Sequence, residues 1–242
     1  MGLADSVPNP VMNSVATPWL HRDTSVMLIG LLLLLTWDAS GWDLAVMKAI
    51  ADGRSFPWRS HWLTGQVLHQ GGRWLSWGVV AALVLEAVFY IKPGPSRQKR
   101  FAYIAGMVLC ALLVPLIKRI SLTSCPWDLT EFGGKAHYVS HWAWGMVDGG
   151  ARHCFPSGHA VAAFGFFGMY FLWRDHDDKF ARGWLMGVLI VGLLFALTQT
   201  VRGAHYPSHS AWTAWLSWTV FSALSVLFEV RTALIRQNKA IE

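Results

Sequence analysis

Residues 101–117 read FAYIAGMVLCALLVPLI, an uncharged apolar run bounded by Arg100 and Lys118. A helix needs about 20 apolar residues to cross the hydrocarbon core of a bilayer, and this run is close to that length. Backbone polar groups in a bilayer must be satisfied internally, so the run predicts a membrane-spanning helix. The whole chain is 54% hydrophobic and 14% charged, whereas a soluble domain is about a quarter charged.

Five further segments have the same character, and together they predict an all-α bundle of six transmembrane helices. The predicted spans are about 25–46, 74–91, 101–117, 158–173, 183–201 and 211–230. The first is polar in its second half, at Asp38 and Asp43, so we expect it to be short or to break there. Residues 1–24 and 231–242 are left as tails, and the first tail lacks the pattern of a secretory signal.

The distribution of Lys and Arg predicts the orientation of the bundle. Both are denser in segments 1–24, 92–100, 174–182 and 231–242 than in the remaining loops, which places both termini in the cytoplasm. The long loops 47–73 and 118–157, together with 202–210, are then extracytoplasmic. The Lys and Arg of the cytoplasmic segments explain the net charge of +6. The sequence has no basic patch of the kind that would predict a nucleic-acid partner. The oligomeric state is left open.

Three extracytoplasmic segments carry residues suited to phosphoryl transfer. They read KRISLTSCP at 118–126, FPSGH at 155–159 and RGAHYPSH at 202–209. Lys118 and Arg202 can neutralise phosphate oxygens, and a Pro-Ser-Gly turn before a helix offers free backbone N–H groups. His159 and His205 titrate near neutral pH, which suits a nucleophile and an acid. Each segment lies at a helix end, so bundle formation can bring the three together.

These segments resemble the three-part motif of the type 2 phosphatidic acid phosphatase superfamily, over roughly residues 74–230. That motif is Lys-x6-Arg-Pro, Pro-Ser-Gly-His and Ser-Arg-x5-His-x3-Asp. The resemblance implies that His205 becomes a phosphohistidine, that His159 protonates the leaving group, and that Lys118, Ser157 and Gly158 hold the phosphate. It further implies a lipid phosphate or diphosphate phosphatase with a periplasmic active site in a bacterial inner membrane, working without metal or cofactor.

The sequence departs from this motif at four positions, of which one is the conservative Thr198 in place of Ser. Cys125 stands where the family has Arg, Gln199 where it has the Arg of Ser-Arg, and His209 where it has Asp. Arg202 lies one helical turn beyond Gln199, so we expect it to replace the lost charge. Arg152 is a second candidate for that charge.

The missing carboxylate has two possible kinds of substitute. His209 can accept a proton from His205 through a neutral ring nitrogen, although it brings no negative charge. Asp128 and Asp148 lie in the same extracytoplasmic loop and are alternative carboxylates.

Other readings of the same residues stay open. A phosphotransferase would pass the phosphoryl group to another lipid, and a non-catalytic binder or transporter would keep the pocket without turnover. Cys125 and Cys154 flank the motifs and form either a disulfide or two free thiols. The remaining extracytoplasmic histidines are expected to be interface or loop residues, without the spacing of a metal site: His61, His69, His137, His141 and His153.

Overall fold

The computed structural model describes residues 18–241, and these form an all-helical bundle without β-strands. The helices are α1 (Pro18–Ser40), α2 (Trp42–Ile50), α3 (Gly72–Phe89), α4 (Arg97–Ile120), α5 (Val161–Phe164), α6 (Phe167–Trp173), α7 (Asp178–Val201) and α8 (Pro207–Ile241). A π-helix over Leu63–Gly71 runs directly into α3. Two short 3-10 turns lie at Pro126–Asp128 and Thr130–Phe132. The predicted all-α class is therefore confirmed.

Five helices of the described chain are long and apolar enough to cross a membrane. They cover Trp19–Ser40, Leu63–Phe89, Arg97–Ile120, Asp178–Val201 and Pro207–Ile235. The sixth predicted span, 158–173, is a shorter apolar helical segment over Val161–Trp173. The first predicted span is interrupted at Gly41, whose left-handed φ of 71° separates α1 from α2.

Side-chain caps mark where two of the long helices begin. The Ser96 hydroxyl accepts a hydrogen bond from the Lys99 N–H at the start of α4 (3.3 Å). The Asp177 carboxylate accepts one from the Phe180 N–H at the start of α7 (3.0 Å). Such caps satisfy amides that have no partner within the helix. They therefore fix the starts of α4 and α7, which lie in the charged segments 92–100 and 174–182.

The α5–α6 segment lies in the middle of the bundle rather than on its surface. Nearly every residue from Ala160 to Arg174 is buried. The ring of Phe221, on α8, packs between Gly106 on α4 and Gly168 on α6. A Cβ atom added to these glycines would lie 2.8 and 2.6 Å from that ring. Because α4, α6 and α8 pack this closely, the α5–α6 segment is enclosed by protein.

Helix directions place all three motif segments at one end of the bundle. α1 and α8 run antiparallel, since the Trp212 indole N–H donates to Asp38 (2.9 Å) and the Trp215 indole N–H to the Met27 carbonyl (2.8 Å). At the opposite end Arg174 pairs with Asp23 (2.5 Å). The end of the bundle that carries residues 121–157 is called the loop end below.

A second, smaller core holds the chain together at the loop end. Its buried residues are Met47, Phe56, Leu129, Phe132, Ala136 and Tyr206. The Asp148 carboxylate accepts hydrogen bonds from the Ser124 N–H and hydroxyl (2.5 and 3.0 Å). Residues 121–157 therefore form a packed layer over the bundle.

Candidate active site

Direct contacts join the three motif segments at the loop end. The Trp127 N–H, directly after the first segment, donates to the Gly203 carbonyl of the third (2.9 Å). The Ser157 N–H donates to the His209 carbonyl (3.1 Å), which ties the second to the third. The structure also pairs Cys125 with Cys154 in a disulfide, their Cα atoms 5.1 Å apart. The segments thus form one site, as we expected from their positions at helix ends.

His205 lies in the turn between α7 and α8. Gly203 has a left-handed φ of 70°, and the Phe56 ring occupies the place where a Cβ would be, so the turn requires glycine. The N–H groups of Ala204 and His205 donate to the Gln199 carbonyl (2.9 and 3.3 Å). The His205 Nδ1 lies 3.5 Å from the Cys154 Sγ. Nε2 is therefore the nitrogen left for a substrate.

Burial of the His205 imidazole disfavours its charged form. Burial lowers the pKa of His205 well below its usual 6.5, and the nearby Lys118 and His159 lower it further. A neutral imidazole carries a lone pair at neutral pH, which a nitrogen nucleophile needs.

His159 lies between two rings, with His69 and Phe195 each 4.5 Å from it by ring centroid. Both of its ring nitrogens are buried, and neither makes a hydrogen bond to a side chain among residues 18–241. Burial lowers the pKa of His159 to about 3, with smaller contributions from His69, Arg202 and Arg73. A dianionic phosphate would favour the protonated ring, so substrate binding can convert His159 into an acid.

The residues expected to hold phosphate surround these histidines. Ser157 is fully buried, and its hydroxyl has no partner in the described part of the chain. A Cβ added to Gly158 would meet no atom within 4 Å, so the space above that glycine is open. Lys118 lies in the last turn of α4. The Arg202 guanidinium donates to Gln199 Oε1 (3.3 Å) and to the Arg59 carbonyl (3.2 Å).

His209 makes no hydrogen bond to His205. It is fully buried, its ring centroid lies 5.8 Å from that of His205, and neither ring nitrogen makes a hydrogen bond to a side chain among the described residues. The two alternative carboxylates have other contacts. Asp148 binds Ser124, as above, and Asp128 accepts the Trp127 indole N–H (3.1 Å). The structure therefore does not bring either carboxylate into hydrogen-bond contact with His205.

Sequence reasoning missed His69, which we expected to be an interface or loop residue. It lies on the π-helix, half-buried, beside His159. Its Nδ1 is 3.2 Å from the Gln199 side-chain Nε2. The spacing of His69 and Arg73 was a signal in the sequence. The two are four residues apart, which places them on the same face of an apolar helix near its start.

A hydrogen-bond network around Asp38, close to His209, was also missed. Asp38 Oδ2 accepts hydrogen bonds from the ring N–H groups of Trp142 (2.8 Å) and Trp212 (2.9 Å) and lies 3.2 Å from His141 Nε2. The His141 side chain is 7% exposed, and its ring is 5.6 Å from that of His209. The contacts of Asp38 join residues more than 100 positions apart, which no local pattern reveals.

Two further expectations concern charge and metal ligands. The Arg152 side chain is exposed, and the structure gives its guanidinium no partner in the part of the chain described. Cys125, Cys154 and His205 have ligand atoms within 4.8 Å of one another. Because the two sulfurs are bonded to each other, they are not available as thiolate ligands in this state.

Comparison with known proteins gives one match. A search of curated proteins and a search of solved structures each found none. The family model of the PAP2 superfamily matches residues 100–233, more than half of the chain, and this range contains all three motif segments. Members of that superfamily are generally phosphatases, which supports a phosphoric-ester hydrolase. With five helices suited to a bilayer and His159 and His205 meeting at the loop end, the chain is a membrane protein that belongs to the PAP2 superfamily.

Proposed function

We propose that this chain is a phosphatase for a membrane lipid phosphate or diphosphate, acting at the periplasmic face of a bacterial inner membrane. The observation that carries the proposal is the gathering of buried His205 and His159 at the loop end, with Lys118 near enough to help lower the pKa of His205. These groups meet at the end of a bundle whose outer surface is apolar. At the end of such a bundle, the site is reached more readily by the headgroup of a membrane lipid than by a soluble phosphate ester.

In the proposed first step, His205 Nε2 attacks phosphorus in line with the leaving oxygen. The P–N bond forms as the P–O bond to the lipid breaks, and His159 gives its proton to the leaving oxygen. Lys118, Arg202, the Ser157 hydroxyl and the N–H groups around Gly158 stabilise the charge on the other phosphate oxygens.

In the second step, neutral His159 takes a proton from water. The water oxygen then attacks phosphorus, the P–N bond breaks, and inorganic phosphate leaves with His205 restored. The scheme uses only side chains and water, so no metal or cofactor is required.

A phosphate-release assay of the purified protein in detergent tests the proposal. Lipid monophosphates, lipid diphosphates and a short-chain soluble phosphate ester are the substrates. We expect phosphate release from at least one long-chain lipid and weaker release from the soluble ester. Disappearance of lipid phosphate without free phosphate, when a second lipid is supplied, would indicate a phosphotransferase. Binding without turnover of any substrate would indicate a non-catalytic binder.

A further inference from the structure

The π-helix over Leu63–Gly71 presents a histidine to the site. Turns of π-helix are rare and occur frequently at functional sites. Here His69, near the end of the π-helix, has its ring centroid 4.5 Å from that of His159. Arg73, in the first turns of α3, lines the same cavity of about 220 Å³ as Gly158. His69 therefore adjoins His159 from an element outside the three motif segments.

The contacts of Gln199 decide which nitrogen of His69 carries the proton. A guanidinium can only donate hydrogen bonds, so the amide atom 3.3 Å from Arg202 Nη1 is the oxygen. The other amide atom, Nε2, must then donate to His69 Nδ1 at 3.2 Å. Nδ1 is the acceptor, and the proton of neutral His69 resides on Nε2.

The same contacts oppose protonation of His69. A proton on Nδ1 would face the Gln199 N–H, and turning the amide over would place that N–H against Arg202. Gln199 is buried, so water cannot easily compensate either arrangement. Arg202 and Gln199 therefore hold His69 as a neutral donor whose free N–H is Nε2–H.

We propose that His69 is a phosphate-binding residue, donating its Nε2–H to a substrate oxygen beside His159, with Gln199 and Arg202 fixing its tautomer. The inference rests on the proposed function. It gives Gln199 a role where the family motif has Arg. The charge is supplied by Arg202, and the extra donor comes from the π-helix.

Binding of inorganic phosphate, measured by calorimetry, tests the proposal separately from turnover. His69→Phe keeps a ring beside His159 but removes the donor, and we expect phosphate to bind at least about tenfold more weakly. His69→Gln can place an amide N–H near the position of Nε2 and should bind within about threefold of the parent. The kcat/KM should follow, with a loss of about 100-fold for His69→Phe, the size observed when one oxyanion donor is removed.

Gln199→Leu provides a second test that leaves His69 in place and adds no charge. A leucine cannot donate to His69 Nδ1, so the imidazole proton is no longer held on Nε2. We expect this variant to bind phosphate more weakly than the parent, with a smaller loss than His69→Phe. His61→Phe, an exposed histidine just before the same π-helix, is the matched control and should bind like the parent. Thermal melts establish that each variant is folded.

The outcomes separate the two claims. Parent-like phosphate binding by folded His69→Phe, with loss in Lys118→Ala, would overturn the role of His69 and leave the proposed function standing. Equal losses in His69→Gln and His69→Phe would overturn the donor role in favour of packing. A parent that neither binds phosphate nor releases it from any lipid would overturn both.

Discussion

At the scale of single residues, each departure from the family motif has a structural counterpart. Cys125 is paired with Cys154, and Gln199 bridges Arg202 and His69. The backbone carbonyl of His209 accepts the Ser157 N–H, although the His209 ring makes no hydrogen bond to His205 or to a carboxylate among the described residues. Charge that the motif places on two arginines must therefore come from elsewhere. We propose Arg202, whose guanidinium donates to Gln199, as the source.

We predict that Arg202→Ala lowers kcat/KM by roughly 100-fold or more, and that Arg202→Lys loses most activity as well. A guanidinium can hold two phosphate oxygens through parallel N–H groups, whereas an ammonium cannot. Adding Gln199→Arg to Arg202→Ala should restore part of the loss, since the charge returns to the position it has in the family. Steady-state kinetics on folded variants measures this. Normal turnover by Arg202→Ala would leave Arg152 as the next candidate.

At the scale of structural elements, the disulfide links the loop after α4 to the segment before α5. The two cysteines are separated by 29 positions. Closing a loop of this size contributes about 3 kcal/mol in the chain-entropy model. We predict that the Cys125→Ser, Cys154→Ser double variant has a lower melting temperature than the parent under non-reducing conditions. A non-reduced peptide map of the parent should show the crosslinked pair. Alkylation of both thiols in protein from an oxidising compartment would contradict the assignment.

The packing of α6 makes a second prediction at this scale. A methyl group on Gly168 would contact the Phe221 ring at 2.6 Å, and overpacking of this kind costs about 1–3 kcal/mol. Gly168→Ala should therefore lower the melting temperature in detergent. Gly187→Ala on α7 is the control, since a Cβ there meets nothing within 4 Å, and it should leave the melting temperature unchanged or raise it. Equal effects of the two substitutions would argue against the close packing of α4, α6 and α8.

At the scale of the whole molecule, the density of Lys and Arg predicts that both termini are cytoplasmic. A reporter active only in the periplasm should therefore be silent when fused after Glu242. The same reporter inserted near residue 140, in the loop-end layer, should be active. The reverse pattern would place the loop end, with His159 and His205, on the cytoplasmic face.

The sequence predicted the parts of this molecule that local pattern determines. Apolar runs located the five long helices, and the three motif segments identified residues that the structure brings to one end. The sequence could not predict the enclosure of α5 and α6, because an apolar run looks alike whether it faces lipid or protein. It also could not predict the contacts of His69 or Asp38. They depend on a π-helical turn in one case and on tertiary packing of α1 against α8 in the other.

The central claim is that His205 carries the phosphoryl group during turnover. Its most direct test is to mix the protein with a ³²P-labelled lipid phosphate that it hydrolyses, quench in alkali and map the labelled peptide. We predict a phosphohistidine, stable in alkali and labile in acid, at His205, with none in His205→Ala. Turnover by the parent with label at another residue, or full activity in His205→Ala, would contradict the account.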